Sequence, residues 1–281
     1  MRTARVGDLC RTASALILIC GLIYGLAACS TIGPPIERKP RPAPTIPPPP
    51  PPSNIDAIPD AVPKLEPRSV HGNPPFYDAM GKRYYVMGTS TGYIERGVAS
   101  WYGPTFDGVN TSSGERYDMY GMTAAHKTLP LPTYARVTNL RNGRTIVVRI
   151  NDRGPFVGNR LIDLSYTAAA KLDMLREGTA FVEIRALEPG GPPDNLTRTS
   201  EAPPPALYVQ AGAFADPNNA NRAVTRLRAA GLANAFIAPP SNDKQPLYKV
   251  RVGPISDVSA FDELAAKLAA LGFAGARLAM D

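Results

Sequence analysis

A chain of 281 residues could hold two domains of ordinary size, but 31 prolines and 24 glycines mark much of it as linker. The formal charge of +7 is spread along the chain and forms no concentrated basic stripe, which argues against a nucleic-acid binder. Cys10, Cys20 and Cys29 all precede the proline-rich stretch, and His71 and His126 are the only histidines, so no disulfide framework and no metal site is expected, and no cofactor is implied.

Arg2, Arg5 and Arg11 precede the apolar run from Ala13 to Gly25, and small residues follow in Leu26-Ala27-Ala28-Cys29. This is the grammar of an export signal over residues 1–28, and its apolar run is short of the roughly 18 to 20 residues of a spanning helix. Leu26-Ala27-Ala28-Cys29 resembles a bacterial lipobox, which implies cleavage before Cys29 and its acylation. Two or three acyl chains attach durably where one does not. Ser30 after the lipidated position implies, by analogy with Gram-negative lipoproteins, the periplasmic face of the outer membrane. An uncleaved anchor and ordinary signal cleavage stay open.

Residues 29–92 read as a proline-rich tether that includes the unbroken run Pro47 to Pro52. In polyproline II conformation, at about 3.1 Å per residue, about 40 such residues reach on the order of 100 Å. Residues 93–188 read as short strands: Gly97 to Tyr102, Ala135 to Leu140, Thr145 to Ile150, and Ala180 to Arg185. Asn142-Gly143 marks a hairpin turn, and Ser165 caps a helix carrying Ala168, Ala169, Leu172 and Leu175. Closing these strands into a small barrel would remove exposed edges. After a linker over residues 189–205, residues 206–281 follow the order βαββαβ, a ferredoxin-like arrangement, with helices at Asn218 to Ala230 and Ser259 to Leu271.

The stretch from Arg149 to Phe156 ends a strand on a carboxylate, a guanidinium and a Gly-Pro turn, a place where rigid scaffolds present chemistry. Thr111 to Met119 brings Glu115, and Met122 to Pro130 brings His126, both in segments that read as too polar and glycine-rich for core. A glycosidic bond needs a proton for its leaving oxygen and charge stabilisation of an oxocarbenium-like transition state. Asp152 is the expected acid/base, because the end of a buried strand can desolvate it. Glu115 is expected to stabilise charge, orient a hydroxyl or exchange roles with Asp152, and His126 to hydrogen-bond a carboxylate or sugar. Trp101, Tyr102 and Phe156 offer flat faces for sugar rings, Trp101 reading more readily as core, and Arg153 offers a cation. In the last region Tyr208, Gln210, Tyr248 and Arg251 are candidate glycan contacts. For each residue taken singly, an ordinary structural role carries comparable weight.

Gly97 to Gly103, Gly114 to Met119, Met122 to Pro130 and Val148 to Phe156, in that order, resemble the rare lipoprotein A family. That family consists of septal lytic transglycosylases built on a double-psi β-barrel. Val209 to Phe214 and Tyr248 to Pro254 resemble a SPOR domain, although Ala213 stands where many such domains have serine. The resemblance implies Glu115, His126 and Asp152 at the active site and no cofactor. It implies cleavage of stem-peptide-poor glycan with 1,6-anhydro ends, and partners in the divisome or among amidases that strip stem peptides. A non-catalytic septal wall-binding lipoprotein and a hydrolase that uses water remain the alternatives.

Overall fold

The computed structural model describes residues 54–190, 205–239 and 247–280. The export signal, Cys29 and the Pro47 to Pro52 run lie outside the described residues. After a 3-10 turn at Ile55–Ala57, a hairpin is formed by β1 (Phe76–Ala79) and β2 (Lys82–Tyr85). Its turn is Met80-Gly81, both at positive φ, the conformation that matches a two-residue hairpin to strand twist.

The barrel strands follow: β3 (Ile94–Trp101), β4 (Thr123–His126), β5 (Thr133–Asn139), β6 (Thr145–Asp152), β7 (Arg160–Leu164) and, after the helix α1 (Tyr166–Lys171), β8 (Ala180–Leu187). They close in the order β3-β7-β4-β6-β5-β8. The pairs β3–β7 and β4–β6 run parallel and the others antiparallel. Alternate residues such as Ala99, Ala124, Val148, Ile150, Ile162, Leu164 and Ile184 fill the interior. Ser165 caps α1 by accepting from the Ala168 amide at 3.2 Å, and Gly143 turns the β5–β6 hairpin at φ +74. The Met122 to Pro130 segment departs from its reading as too polar for core: Met122, Ala124, Ala125, His126 and Leu129 are all buried.

Residues 54–75, read from the sequence as part of the tether, lie along the barrel. Ile58 and Ala61 pack against its core. The Val147 amide donates to Asp60 Oδ2 at 2.8 Å, and the Ala61 amide donates to the Val147 carbonyl at 3.1 Å. These bonds cover the part of β6 that outruns the short β4, where an open edge would otherwise invite pairing. Further on, Arg149 Nη2 donates to Glu66 Oε2 at 2.7 Å, and Asn73 exchanges two bonds of 2.8 Å with the backbone of Leu131.

The last domain contains β9 (Leu207–Phe214), α2 (Pro217–Ala229), β10 (Ala235–Ala238), β11 (Tyr248–Ile255), α3 (Val258–Ala270) and β12 (Arg277–Met280). Its antiparallel sheet has the order β10-β11-β9-β12. Leu207, Val209, Ala211, Val250 and Val252 are buried in one core with Ala220, Val224 and Leu227 of α2 and Phe261 and Leu268 of α3. Asp216 and Asp257 cap the two helices. Because side chains alternate along β9, Tyr208 and Gln210 are left on the opposite, helix-free face.

The Glu66–Arg149 contact fastens the strap to the barrel, and hydrogen bonds to charged groups contribute about 1.5–3 kcal/mol. Glu66→Ala should lower unfolding free energy in urea by that amount; an unchanged midpoint would contradict a structural role for the strap.

Candidate active site

The barrel register sets four residues in a row across neighbouring strands. Ser100 of β3 pairs with Asp163 of β7, Asp163 with Ala125 of β4, and Ala125 with Asp152 of β6. Strands lie about 4.8 Å apart, so the two aspartates stand on backbones about 10 Å apart with only an alanine methyl between them. Ala99, Ala124, Ile162 and Leu164 point into the core, so the row lies on the outer wall. On β6 the pairing passes from Ala124↔Ile150 to Ala125↔Asp152, which leaves Asn151 as a bulge. Bulges re-aim the side chain that follows.

Asp152 ends in a nest of donors, whereas the sequence suggested a carboxyl desolvated at the end of a buried strand. Its Oδ1 accepts from the Ser112 amide at 2.7 Å, Ser112 Oγ at 2.6 Å and the Arg153 amide at 2.7 Å. Its Oδ2 faces Tyr102, whose hydroxyl donates at 3.3 Å. The Tyr102 phenol is pushed well above its ordinary range by burial first and then by the charges of Asp152 and Asp163, so it serves as a neutral donor. Three donors on Oδ1 hold the Asp152 carboxylate in one orientation.

Glu115 is held nearby on the same wall. Arg149 Nη1 donates to its Oε2 at 2.7 Å and Asn151 Nδ2 at 2.9 Å, and the side chain remains 43 % exposed, within reach of a ligand. Burial alone would raise its carboxyl, but the hydrogen bonds from Arg149 and Asn151 and the Arg149 charge more than offset this and hold it below its ordinary value. Arg149 thus bridges Glu66 of the strap and Glu115 of the site.

His126 is not brought to the carboxylates. Alternation on β4 turns it to the side opposite Ala125, where it is 2 % exposed. Its Nδ1 accepts from the amides of Thr128 at 3.2 Å and Leu129 at 3.1 Å, leaving Nε2–H to meet the Tyr93 hydroxyl at 2.9 Å. Tyr93 in turn donates to Glu95 at 2.7 Å. The expected bond to a carboxylate or sugar is replaced by these partners, because the imidazole closes the turn after β4.

Arg153 is likewise withdrawn from any ligand. Its Nε donates to the Gly72 carbonyl at 2.8 Å, Nη1 to those of His126 at 3.2 Å and Leu129 at 2.5 Å, and Nη2 to Asn73 Oδ1 at 3.2 Å. Phe156 packs against Tyr77 and Tyr84 of the hairpin, and Trp101 packs against the core with its edge to Tyr166. Among the aromatic candidates of the barrel, Tyr102 is the one in contact with Asp152, flanked by Phe106 and Tyr117. In the last domain Gln210 pairs with Arg251 across strands, and Phe236 joins Tyr208 at 5.3 Å, whereas Tyr248 packs against the domain core.

The sequence reading passed over Asp163 and Ser112. A carboxylate set between the buried Ile162 and Leu164 in a short strand is the signal that could have found Asp163. Ser112 carries no such signal, since its role depends on a loop that folds back onto β6.

Residues 94–184 match the family model described as lytic transglycolase, and residues 203–278 match the SPOR domain. Fold and match together define a double-psi barrel of the lytic transglycosylase class joined to a SPOR domain. The chain is 40 % identical over 256 residues to the endolytic peptidoglycan transglycosylase RlpA of Pseudomonas aeruginosa (strain UCBPP-PA14), covering 72 % of this chain and 74 % of that one. To the protein of the same name from Vibrio cholerae it is 47 % identical over 166 residues, 59 % of this chain and 61 % of that one. For the one from Neisseria meningitidis serogroup B the identity is 52 % over 131 residues, 47 % of this chain and 54 % of that one. The chain belongs to the RlpA family.

Burial first, then the charges of Lys127 and Arg153, push the His126 imidazole down to about 3. An unfolded histidine titrates near 6.5, so between about 6.5 and about 3 the unfolded state holds a proton that the folded state lacks. Stability therefore falls as pH drops through that window. Nitrogen-15 NMR should show His126 as the neutral Nε2–H tautomer down to pH 5; protonation near pH 6.5 would contradict the buried placement.

Proposed function

We propose that this chain is a cell-wall lytic transglycosylase that cuts the β-1,4 bond from N-acetylmuramic acid to N-acetylglucosamine within stem-peptide-poor glycan strands and leaves 1,6-anhydro-muramic ends. The observation that carries the reading is the rigid Asp152 carboxylate on the outer wall, with the Glu115–Arg149 pair beside it. A carboxylate held in place in a preorganised site favours the oxocarbenium-like transition state. Glu115, partly exposed and held by Arg149 and Asn151, would orient the muramic 6-hydroxyl, which replaces water as nucleophile. Tyr102 keeps Asp152 Oδ2 oriented and lends an aromatic face to the wall beside it.

The helix-free face of the last sheet, with Tyr208, Gln210, Phe236 and Arg251, is the surface proposed to hold denuded glycan and enrich the enzyme at the septum. Tethering raises the local concentration of substrate at the barrel. Acylation of Cys29 would anchor the chain to the periplasmic face of the outer membrane. Its partners there would be the glycan strands and the division enzymes that strip their stem peptides.

Mass spectrometry of denuded glycan digested with the protein should reveal anhydro-muramic ends that Asp152→Asn abolishes. Intact glycan with undiminished binding would favour a wall-binding protein, and reducing ends a hydrolase. Deleting residues 206–281 should abolish midcell fluorescence of a tagged chain; unchanged septal enrichment would contradict the role given to the SPOR domain.

A further inference from the structure

Asp163 stands in the outer-wall row between Ser100 and Ala125, and nothing in the mechanism above uses it. One oxygen, Oδ1, accepts from Ser100 Oγ on the adjoining strand β3. The register sets Asp163 across Ala125 from Asp152, and both carboxylates act on the same Tyr102 phenol. The two environments differ in kind. Oδ1 of Asp152 accepts from three donors, which hold that carboxylate in place, whereas among the described residues the side-chain bond to Asp163 comes from Ser100 alone. Pairs of carboxyl groups placed in such contrasting surroundings divide the work of acid and charged partner between them.

We propose that Asp163 is the proton-carrying catalytic residue of this site and that Asp152 is its charged partner across Ala125. The inference rests on the transglycosylase reading and deepens it. In the step, the proton on Asp163 Oδ2 passes to the glycosidic oxygen as the bond from that oxygen to the anomeric carbon breaks, the electron pair leaving with the oxygen. The muramic 6-hydroxyl oxygen bonds to the anomeric carbon, and its proton returns to Asp163. One bond from carbon to oxygen is lost and one is made, and the enzyme ends in its starting state.

Burial raises the Asp163 carboxyl above its ordinary value against the lowering effects of Ser100, Lys127 and Arg160, and the charge of Asp152 raises it further. The groups that face it are Asp152 from β6, Lys127 from the turn after β4, Arg160 from its own strand, and the phenols Tyr102 and Tyr117. A carboxyl whose folded value is raised binds its proton more tightly folded than unfolded. Its ionisation costs stability as pH rises from the unfolded value through the folded one, and the cost is complete above that.

The test compares wild type, Asp163→Asn and Ser100→Ala on denuded glycan across pH. Asp163→Asn should lower kcat by about 10²–10⁴-fold, the range for loss of a general acid, with little change in KM. It should also leave Tm equal to or above that of wild type at neutral pH, because the ionisation cost is gone. A structural carboxylate would give the reverse, a lowered Tm and near-normal kcat, and that result would overturn the proposal. Ser100→Ala covers the case in which Asp163→Asn does not fold. It removes a donor that favours the ionised form, so the alkaline limb of kcat/KM should move to higher pH; an unmoved limb would overturn the proposal. A wild type that yields no anhydro ends counts against the transglycosylase reading itself, whereas an active wild type matched by Asp163→Asn counts against Asp163 alone.

Discussion

The buried guanidinium of Arg153 joins three parts of the chain that are remote in sequence. It holds the carbonyl of Gly72 in the strap and the carbonyls of His126 and Leu129 after β4, while its own amide bonds Asp152. Burial lowers its value to about 10, still far above neutral pH, so it stays charged. A buried cation needs partners, and this one finds them mainly among carbonyl oxygens. Removing it would leave those carbonyls unpaired and release the strap from the end of β6 that carries Asp152.

From that fixed point the site follows by register. The bulge at Asn151 shifts β6 by one residue against β4 and brings Asp152 into the row with Ala125, Asp163 and Ser100. Without the shift, alternation would set Asp152 with Ile150 on the core side. The loop bearing Ser112 and Glu115 then closes over β6, with Ser112 on Asp152 and Glu115 on Arg149 and Asn151. Arg149 is shared with Glu66, so the strap takes part in placing a candidate catalytic carboxylate. The matched transglycolase segment begins only at residue 94, yet the folded unit that supports its site includes residues 54–93.

Features governed by local rules were legible in the sequence: the Asn142-Gly143 turn, the Ser165 cap, the βαββαβ order, and the alternation that leaves Tyr208 and Gln210 on one face. Features governed by distant partners were not. The strands β4 and β7 are short and carry His126, Arg160 and Asp163, so their polarity hid their burial. His126 was drawn toward the site by its place in a motif, whereas strand parity turns it inward to Tyr93. Arg153 read as a cation for a ligand because sequence cannot show five carbonyl and amide oxygens converging from residues 72, 73, 126, 127 and 129. The strap was hidden by its prolines, which favour extended backbone whether or not it lies on a neighbour.

Cutting of glycan at the outer-wall row requires the chain to seat its substrate there. A crystal structure of the Asp152→Asn protein with a bound oligosaccharide of denuded glycan should show a glycosidic oxygen over Ala125, within hydrogen-bond reach of Asp163, with the muramic 6-hydroxyl toward Glu115. Sugar rings seated elsewhere on the barrel, with this row open to solvent, would contradict it.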